Sequence, residues 1–194
     1  MKVVNIIATA KIKGTIDVLT LVDKTSTAEY NPEIFSGLVI RNKPEPTIIV
    51  FETGRVSSHG SKNEKDAKQA ILRAIDLIKE KGCLVGSKEL EWLRIENVVA
   101  VGSLKACQRI DLERLYSTLR SSIYEPEQFP GLIHRPLGNN VTCLIFSSAK
   151  IVTVGGKSER QVQDAFEKMT AIIEESGSCI VEEPEGRVLQ HVAK

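Results

Sequence analysis

Tyr30-Asn31-Pro32-Glu33-Ile34-Phe35-Ser36-Gly37-Leu38 returns 94 residues later as Tyr124-Glu125-Pro126-Glu127-Gln128-Phe129-Pro130-Gly131-Leu132. The match extends in both directions from this segment. Upstream, Asn5-Ile6-Ile7-Ala8 corresponds to Asn97-Val98-Val99-Ala100, and Ile16-Asp17 to Ile110-Asp111. Downstream, Arg41 corresponds to Arg135, Phe51 to Phe146, and Gly60-Ser61-Lys62 to Gly155-Gly156-Lys157. The offset drifts only from 92 to 95, so the copies differ by short loop insertions. Almost the whole chain is therefore two versions of one supersecondary unit. The expected division is a first repeat over residues 1–83, a linker over 84–92, a second repeat over 93–178 and a C-terminal extension over 179–194.

Each copy has the same order of local signals. A β-branched stretch (Val3–Ala10, Leu93–Val101) predicts a strand. Asp17–Thr25 and Asp111–Leu119 have helical spacing behind an aspartate suited to cap it. Phe35–Arg41 and Phe129–Arg135 follow Pro-containing turns and predict short strands. Thr47–Phe51 and Thr142–Phe146 are apolar runs, each joined by a tight turn to a further strand, Arg55–His59 or Lys150–Val154. A longer amphipathic helix closes each copy: Ala67, Ala70, Ile71, Ala74, Ile75 and Ile78 in one, Val162, Ala165, Phe166, Met169 and Ile172-Ile173 in the other. The unit reads β-α-β-β-β-β-α. Two such units with their helices on one face of an antiparallel sheet make an α+β fold.

Composition narrows the function. The 194 residues hold 26 Lys and Arg against 25 Asp and Glu, a net charge of +1. This excludes a basic tail but leaves room for a basic strip on one face. No apolar run approaches a membrane span, and no secretory leader is expected. Cys83, Cys107, Cys143 and Cys179 form no CxxC pair and the three histidines are scattered, so no zinc site and no cofactor is expected, and the cysteines are read as free thiols. Gly155-Gly156-Lys157-Ser158 resembles the end of a phosphate-binding loop, but Ile151 stands where that loop needs glycine. GxSxG and HExxH are absent, and no enzyme is expected.

Strand alternation raises a further question. Ile49 and Phe51, and likewise Leu144 and Phe146, lie on the face opposite Val50 and Ile145. Both faces are apolar, yet the helices suffice for only one. The second face is buried in a closed barrel or a dimer, or it is a ligand surface.

The segment Tyr124–Ile133, followed by Arg135 and by Leu144-Ile145-Phe146-Ser147-Ser148, resembles the TATA-box-binding protein family, and the resemblance covers roughly residues 3–176. It implies a saddle whose curved sheet lies along the minor groove of A·T-rich promoter DNA, with helices on the convex side. Phe35, Phe51, Phe129 and Phe146 match the family's wedges between base steps, and Asn5 and Asn97 its central pair. Ile7, Val99, Ile49 and Leu144 would press on sugars and base edges, with Ser57, His59, Val152 and Val154 completing the floor. Arg41, Arg55, Lys62, Arg135, Lys150 and Lys157 would meet phosphates.

This sequence departs from the family at named places. His59 and Val154 stand where the family has threonines, and Ser57 where it has valine. Ala149 replaces a glycine at a hairpin tip that needs positive φ, and Glu33-Ile34 replaces a basic pair. The resemblance implies a general initiation factor that bends TATA-containing DNA and nucleates the preinitiation complex; the other readings are a paralogue or a protein-binding saddle with relaxed or lost TATA selectivity. Implied partners are double-stranded promoter DNA, transcription factors A and B (the latter through Glu125 and Glu127), TATA-binding-protein-associated factors and the RNA polymerase machinery. A homodimer off DNA is a further expectation. The expected location is the nucleus, or the cytoplasm for an archaeal source.

Overall fold

In the computed structural model, the structure describes residues 1–136, 138 and 140–181. The first copy comprises β1 (Lys2–Ile12), β2 (Thr15–Ile16), α1 (Val18–Asp23), β3 (Ala28–Asn31), β4 (Phe35–Ile40), β5 (Thr47–Val50), β6 (Arg55–Ser61) and α2 (Glu64–Glu80). After β7 (Leu84–Val85), the second comprises β8 (Leu90–Ser103), β9 (Arg109–Ile110), α3 (Leu112–Thr118), β10 (Ser122–Ile123), β11 (Gly131–His134), β12 (Thr142–Phe146), β13 (Lys150–Gly156) and α4 (Glu159–Glu175), followed by β14 (Cys179–Ile180).

Ten strands form one antiparallel sheet in the order β10-β11-β12-β13-β8-β1-β6-β5-β4-β3. The copies join through β1 and β8, the first strand of each. Asn5 pairs with Val99, Ile6 with Val98 and Ile7 with Asn97. Each asparagine thus faces the counterpart of the residue two places after it, and a pseudo-twofold axis passes between Ile6 and Val98. Alternation then divides the residues. Ile6, Ala8, Ala10, Leu38, Val50, Val56, Val98, Ala100, Leu132, Ile145 and Ile151 are buried in one core with the apolar stripes of α2 and α4. Phe166 packs on that core and leans over Gly102, where an added Cβ would lie 2.3 Å from its ring.

The helices start where the sequence predicts. Asp17 and Asp111 accept from the backbone N–H groups of Thr20 and Arg114 at 2.9 and 3.0 Å. Asn63 and Ser158 cap the long helices through the N–H groups of Asp66 and Gln161. The N-termini of the long helices also meet across the pseudo-dyad. Glu64 N–H donates to Glu159 Oε1 at 2.8 Å, and Glu159 N–H donates to Glu64 Oε1 at 2.9 Å. Each carboxylate satisfies an otherwise orphaned N–H of the other repeat, at the positive end of that helix.

Several expectations need correction. Cys107 and Cys179 are joined as a disulfide, so only Cys83 and Cys143 are free thiols. Pairing of β14 with β9 brings the two cysteines to a Cα separation of 5.4 Å, a proximity their sequence separation of 72 residues conceals. The strand expected over Phe129–Arg135 begins only at Gly131, because Pro130 has no N–H for a ladder. The short β3 and β10 that edge the sheet, and the two-residue ladders β2–β7 and β9–β14, carry no periodicity signal. Ala149 does take positive φ, 59°, at the β12–β13 hairpin. Of the extension expected over 179–194, residues 182–194 lie outside the described residues.

Two histidines link the fold to pH. Burial lowers the pKa of both His59 and His134, and His134 Nδ1 lies 2.9 Å from Ser122 Oγ. Well above pH 6.5 both are neutral whether folded or not. Below it the unfolded chain takes up protons that the folded chain refuses, so stability falls as pH falls through that window. Urea midpoints are expected to drop between pH 7.5 and pH 5.5, and His134→Gln is expected to flatten that slope.

Candidate nucleic-acid interface

The open face of the sheet holds the second set of alternating residues. Phe35 and Phe51 meet edge to face at 5.8 Å between centroids near one end, and Phe129 and Phe146 meet likewise at 5.7 Å near the other. Phe35 is 43% exposed, far from a core residue. Glycines make room for these rings. A Cβ on Gly37 would lie 2.6 Å from the Phe35 ring, and one on Gly131 would lie 2.8 Å from Phe129 and 3.0 Å from Phe146. The missing side chains let Phe35 in the first pair, and both rings of the second, lie over the strand.

Asn5 and Asn97 stand at the middle of the face. Gly60 N–H donates to Asn5 Oδ1 and Gly155 N–H to Asn97 Oδ1, both at 2.9 Å. Because the carbonyl ends are held by backbone donors, both amide NH2 groups are left to donate elsewhere. Gly60 and Gly155 have φ of +106° and +94°, a conformation that turns their N–H groups toward the asparagines and that glycine adopts without steric cost.

Around these, Ile7, Ile49, Val99, Leu144, Val152 and Val154 are all partly exposed on the same face. The sheet adds Val39, Val101, Ile133, Thr9, Thr47 and Thr142 to that floor, which the sequence reading left out. Their place follows from alternation once the register is fixed. In the first-repeat half, Thr9, Ser57 and His59 line a groove of about 500 Å³ with Phe35, Ile49 and Phe51. Ser57 Oγ lies 3.1 Å from His59 Nε2. Thr9 adds to Ser57 and His59, the polar residues expected there, so this half is more polar than the second.

The six expected phosphate-binding cations differ in their surroundings. Arg41 is paired with Glu29 at 2.6 Å. Lys157 Nζ donates to the Glu96 carbonyl at 2.6 Å and to Glu96 Oε2 at 3.2 Å. Arg94 bonds the same carboxylate and lies over the Trp92 ring, 4.3 Å from its centroid. These two cations hold Glu96 below the usual carboxylate pKa, Arg94 more than Lys157. Arg55, Lys62, Arg135 and Lys150 are exposed and make no ion pair with described residues. Glu125 and Glu127 are exposed in a turn where Gln128 and Phe129 donate to the Glu125 carbonyl. Among the described residues no cluster of His, Cys, Asp or Glu could hold a metal ion, and no helix is long and apolar enough to cross a membrane.

Fold and face together define a two-repeat α+β saddle, a single sheet backed by helices on one side and open on the other. The family model described as transcription factor TFIID (or TATA-binding protein, TBP) matches residues 1–81 and 92–176. The chain is 40% identical over 183 residues to the TATA-box-binding protein of Pyrobaculum aerophilum, covering 94% of this chain and 90% of the relative. It is 40% identical over 166 residues to that of Pyrodictium occultum, covering 85% and 81%. The solved structure of Methanococcus jannaschii TBP superposes with a TM-score of 0.77 at 35% identity, covering 90% of this chain and 98% of the other. The chain belongs to the TATA-box-binding protein family, whose members are general transcription factors that bind DNA and are not enzymes.

Proposed function

We propose that the open face of the sheet binds the minor groove of A·T-rich promoter DNA and bends it, with one repeat (residues 1–83 or 93–178) over each half of the site. The observation that carries this reading is the pairing of features by the pseudo-dyad. Two phenylalanine pairs on the open face, Phe35 exposed and the other three rings partly so, flank two asparagines whose acceptor ends are already occupied. Minor-groove edges of A·T and T·A offer only the acceptors adenine N3 and thymine O2, which suit the free amide NH2 groups of Asn5 and Asn97. The phenylalanines serve as apolar wedges into opened base steps, and Ile7, Val99, Ile49, Leu144, Val152 and Val154 fit the sugar edges between them. Arg55, Lys62, Arg135 and Lys150 are free for phosphates, whereas Arg41 and Lys157 must exchange Glu29 and Glu96 for them. Glu125 and Glu127 offer an acidic exposed turn to transcription factor B, with transcription factor A on the first repeat and the polymerase machinery assembling on both. The archaeal relatives favour a cytoplasmic location over a nuclear one.

The test is a titration of A·T-rich and G·C-rich duplexes, with energy transfer between the duplex ends, at several salt concentrations. Tight binding to the A·T duplex, end-to-end shortening and a log–log salt slope of about −4 to −6 are expected, one unit for each phosphate neutralised. Binding without shortening, or no duplex binding at all, sinks the reading.

A further inference from the structure

We infer that the two halves of the open face read different base pairs: the first-repeat half accepts a G·C pair, and the second-repeat half excludes it. This rests on the DNA-binding reading above. The contrast lies in residues that the pseudo-dyad makes equivalent. In the first half, Thr9 pairs with Ser57 and Ser57 with Ile49 across neighbouring strands. In the second half the same row is Val101, Val152 and Leu144. His59 and Val154 are likewise equivalent, each pairing with the threonine that opens the neighbouring strand, Thr47 or Thr142. One floor therefore carries two hydroxyls and an imidazole where the other carries three valines.

In the minor groove, guanine differs from the other bases by its N2 amino donor. Against three valines that donor is desolvated and left without a partner, which weakens binding about tenfold or more. Ser57 and His59 can receive it, because the 3.1 Å hydrogen bond between them runs in either direction. Burial keeps His59 neutral, so Nε2 is a donor in one tautomer and an acceptor in the other. With Nε2–H donating to Ser57 Oγ, the serine hydroxyl is free to donate to adenine N3 or thymine O2. With the hydroxyl donating to Nε2, a lone pair of Ser57 Oγ is free to accept from guanine N2–H. One tautomer exchange thus converts an A·T reader into a G·C acceptor without moving a heavy atom. Thr9, beside Ser57, adds a second hydroxyl to the same row.

The experiment compares G·C with inosine·C, which has the same pair without the amino group, at each position through one half or both halves of an A·T-rich duplex. Affinity is read by fluorescence anisotropy. With the substitution in one half, the native protein can orient that half beneath its first repeat, and the G·C to inosine·C ratio of Kd is expected to stay within about twofold. With both halves substituted, one guanine must face the valines, and the ratio is expected to rise to about tenfold. Ser57→Val is expected to raise the one-sided ratio to about tenfold, and Val152→Ser to lower the two-sided ratio. Because each ratio is taken within one protein, a general loss of affinity does not enter it. A one-sided ratio already near tenfold in the native protein, or ratios unmoved by both variants, overturns the inference. Failure of the native protein to bind the inosine and A·T duplexes removes the DNA-binding reading itself, a result distinct from either of these.

Discussion

Replacing Phe129 and Phe146 together with alanine is expected to weaken binding to A·T-rich duplex about a hundredfold, roughly 3 kcal/mol, and to abolish end-to-end shortening. Opening a base step costs a few kcal/mol in minor-groove binders generally, this family among them, and the cost is met only if a flat apolar group fills the gap. Two methyl groups cannot fill it, so the DNA stays straighter and part of the sheet loses contact with the backbone. The fold itself should hardly notice. The two rings pack mainly on each other, at 5.7 Å, and on Gly131, on the face away from the helices. A fall in thermal midpoint of more than a few degrees would mean that the rings support the fold, and retained bending would mean that they are not wedges. Phe35→Ala with Phe51→Ala should behave alike, since the first pair has the same geometry at 5.8 Å.

The second large effect concerns a glycine whose counterpart is far more tolerant. Gly155→Ala is expected to cost about 2–4 kcal/mol of stability, and Gly60→Ala about 1–2 kcal/mol. Both residues have positive φ, so each substitution carries the left-handed penalty. At Gly60 the new methyl meets nothing within 4 Å. At Gly155 it would lie 2.6 Å from the Asn140 carbonyl oxygen, which is backbone and cannot swing aside as a side chain would. For a chain of this size the difference between the two variants is a gap of several degrees in thermal midpoint. Gly155→Ala should also weaken DNA binding, since Gly155 N–H fixes the Asn97 amide that the groove is proposed to meet. Equal midpoints for the two variants would show that the loop around Asn140 yields freely.

Those two glycines also mark the limit of what could be read from the sequence. The repeat placed Asn5 opposite Asn97 in role, and Gly60 with Gly155, because identical residues survive at constant offset. It could not show that each asparagine accepts from its own glycine across 55 or 58 residues, since that contact depends on the order of strands in the sheet. The long helices, the hairpins and the aspartate caps were legible because their signals are local. The Cys107–Cys179 disulfide was not, because two-residue strands have no periodicity and only tertiary folding brings β9 and β14 together. Phe35 and Phe129 stood apart from the core aromatics by following proline turns, and of the two Phe35 is exposed and Phe129 half-buried. Val39, Val101 and Ile133 did not, since a valine or isoleucine in a strand has the same spacing whether it faces helix or solvent. Pairing of Arg41 with Glu29 and Lys157 with Glu96 was hidden for a related reason: charge counts give no geometry.

The exchange of carboxylates between Glu64 and Glu159 makes each repeat depend on the other. Each long helix begins with an N–H whose acceptor belongs to the other repeat, and each first strand has as its neighbour the first strand of the other. Neither copy is finished alone. Separated, the two would leave the facing edges of β1 and β8 and the first N–H of each long helix without their partners. Joined in one chain they keep that contact while differing from each other, and Ser57 in the place equivalent to Val152 is a difference that no symmetric pair of identical chains could hold.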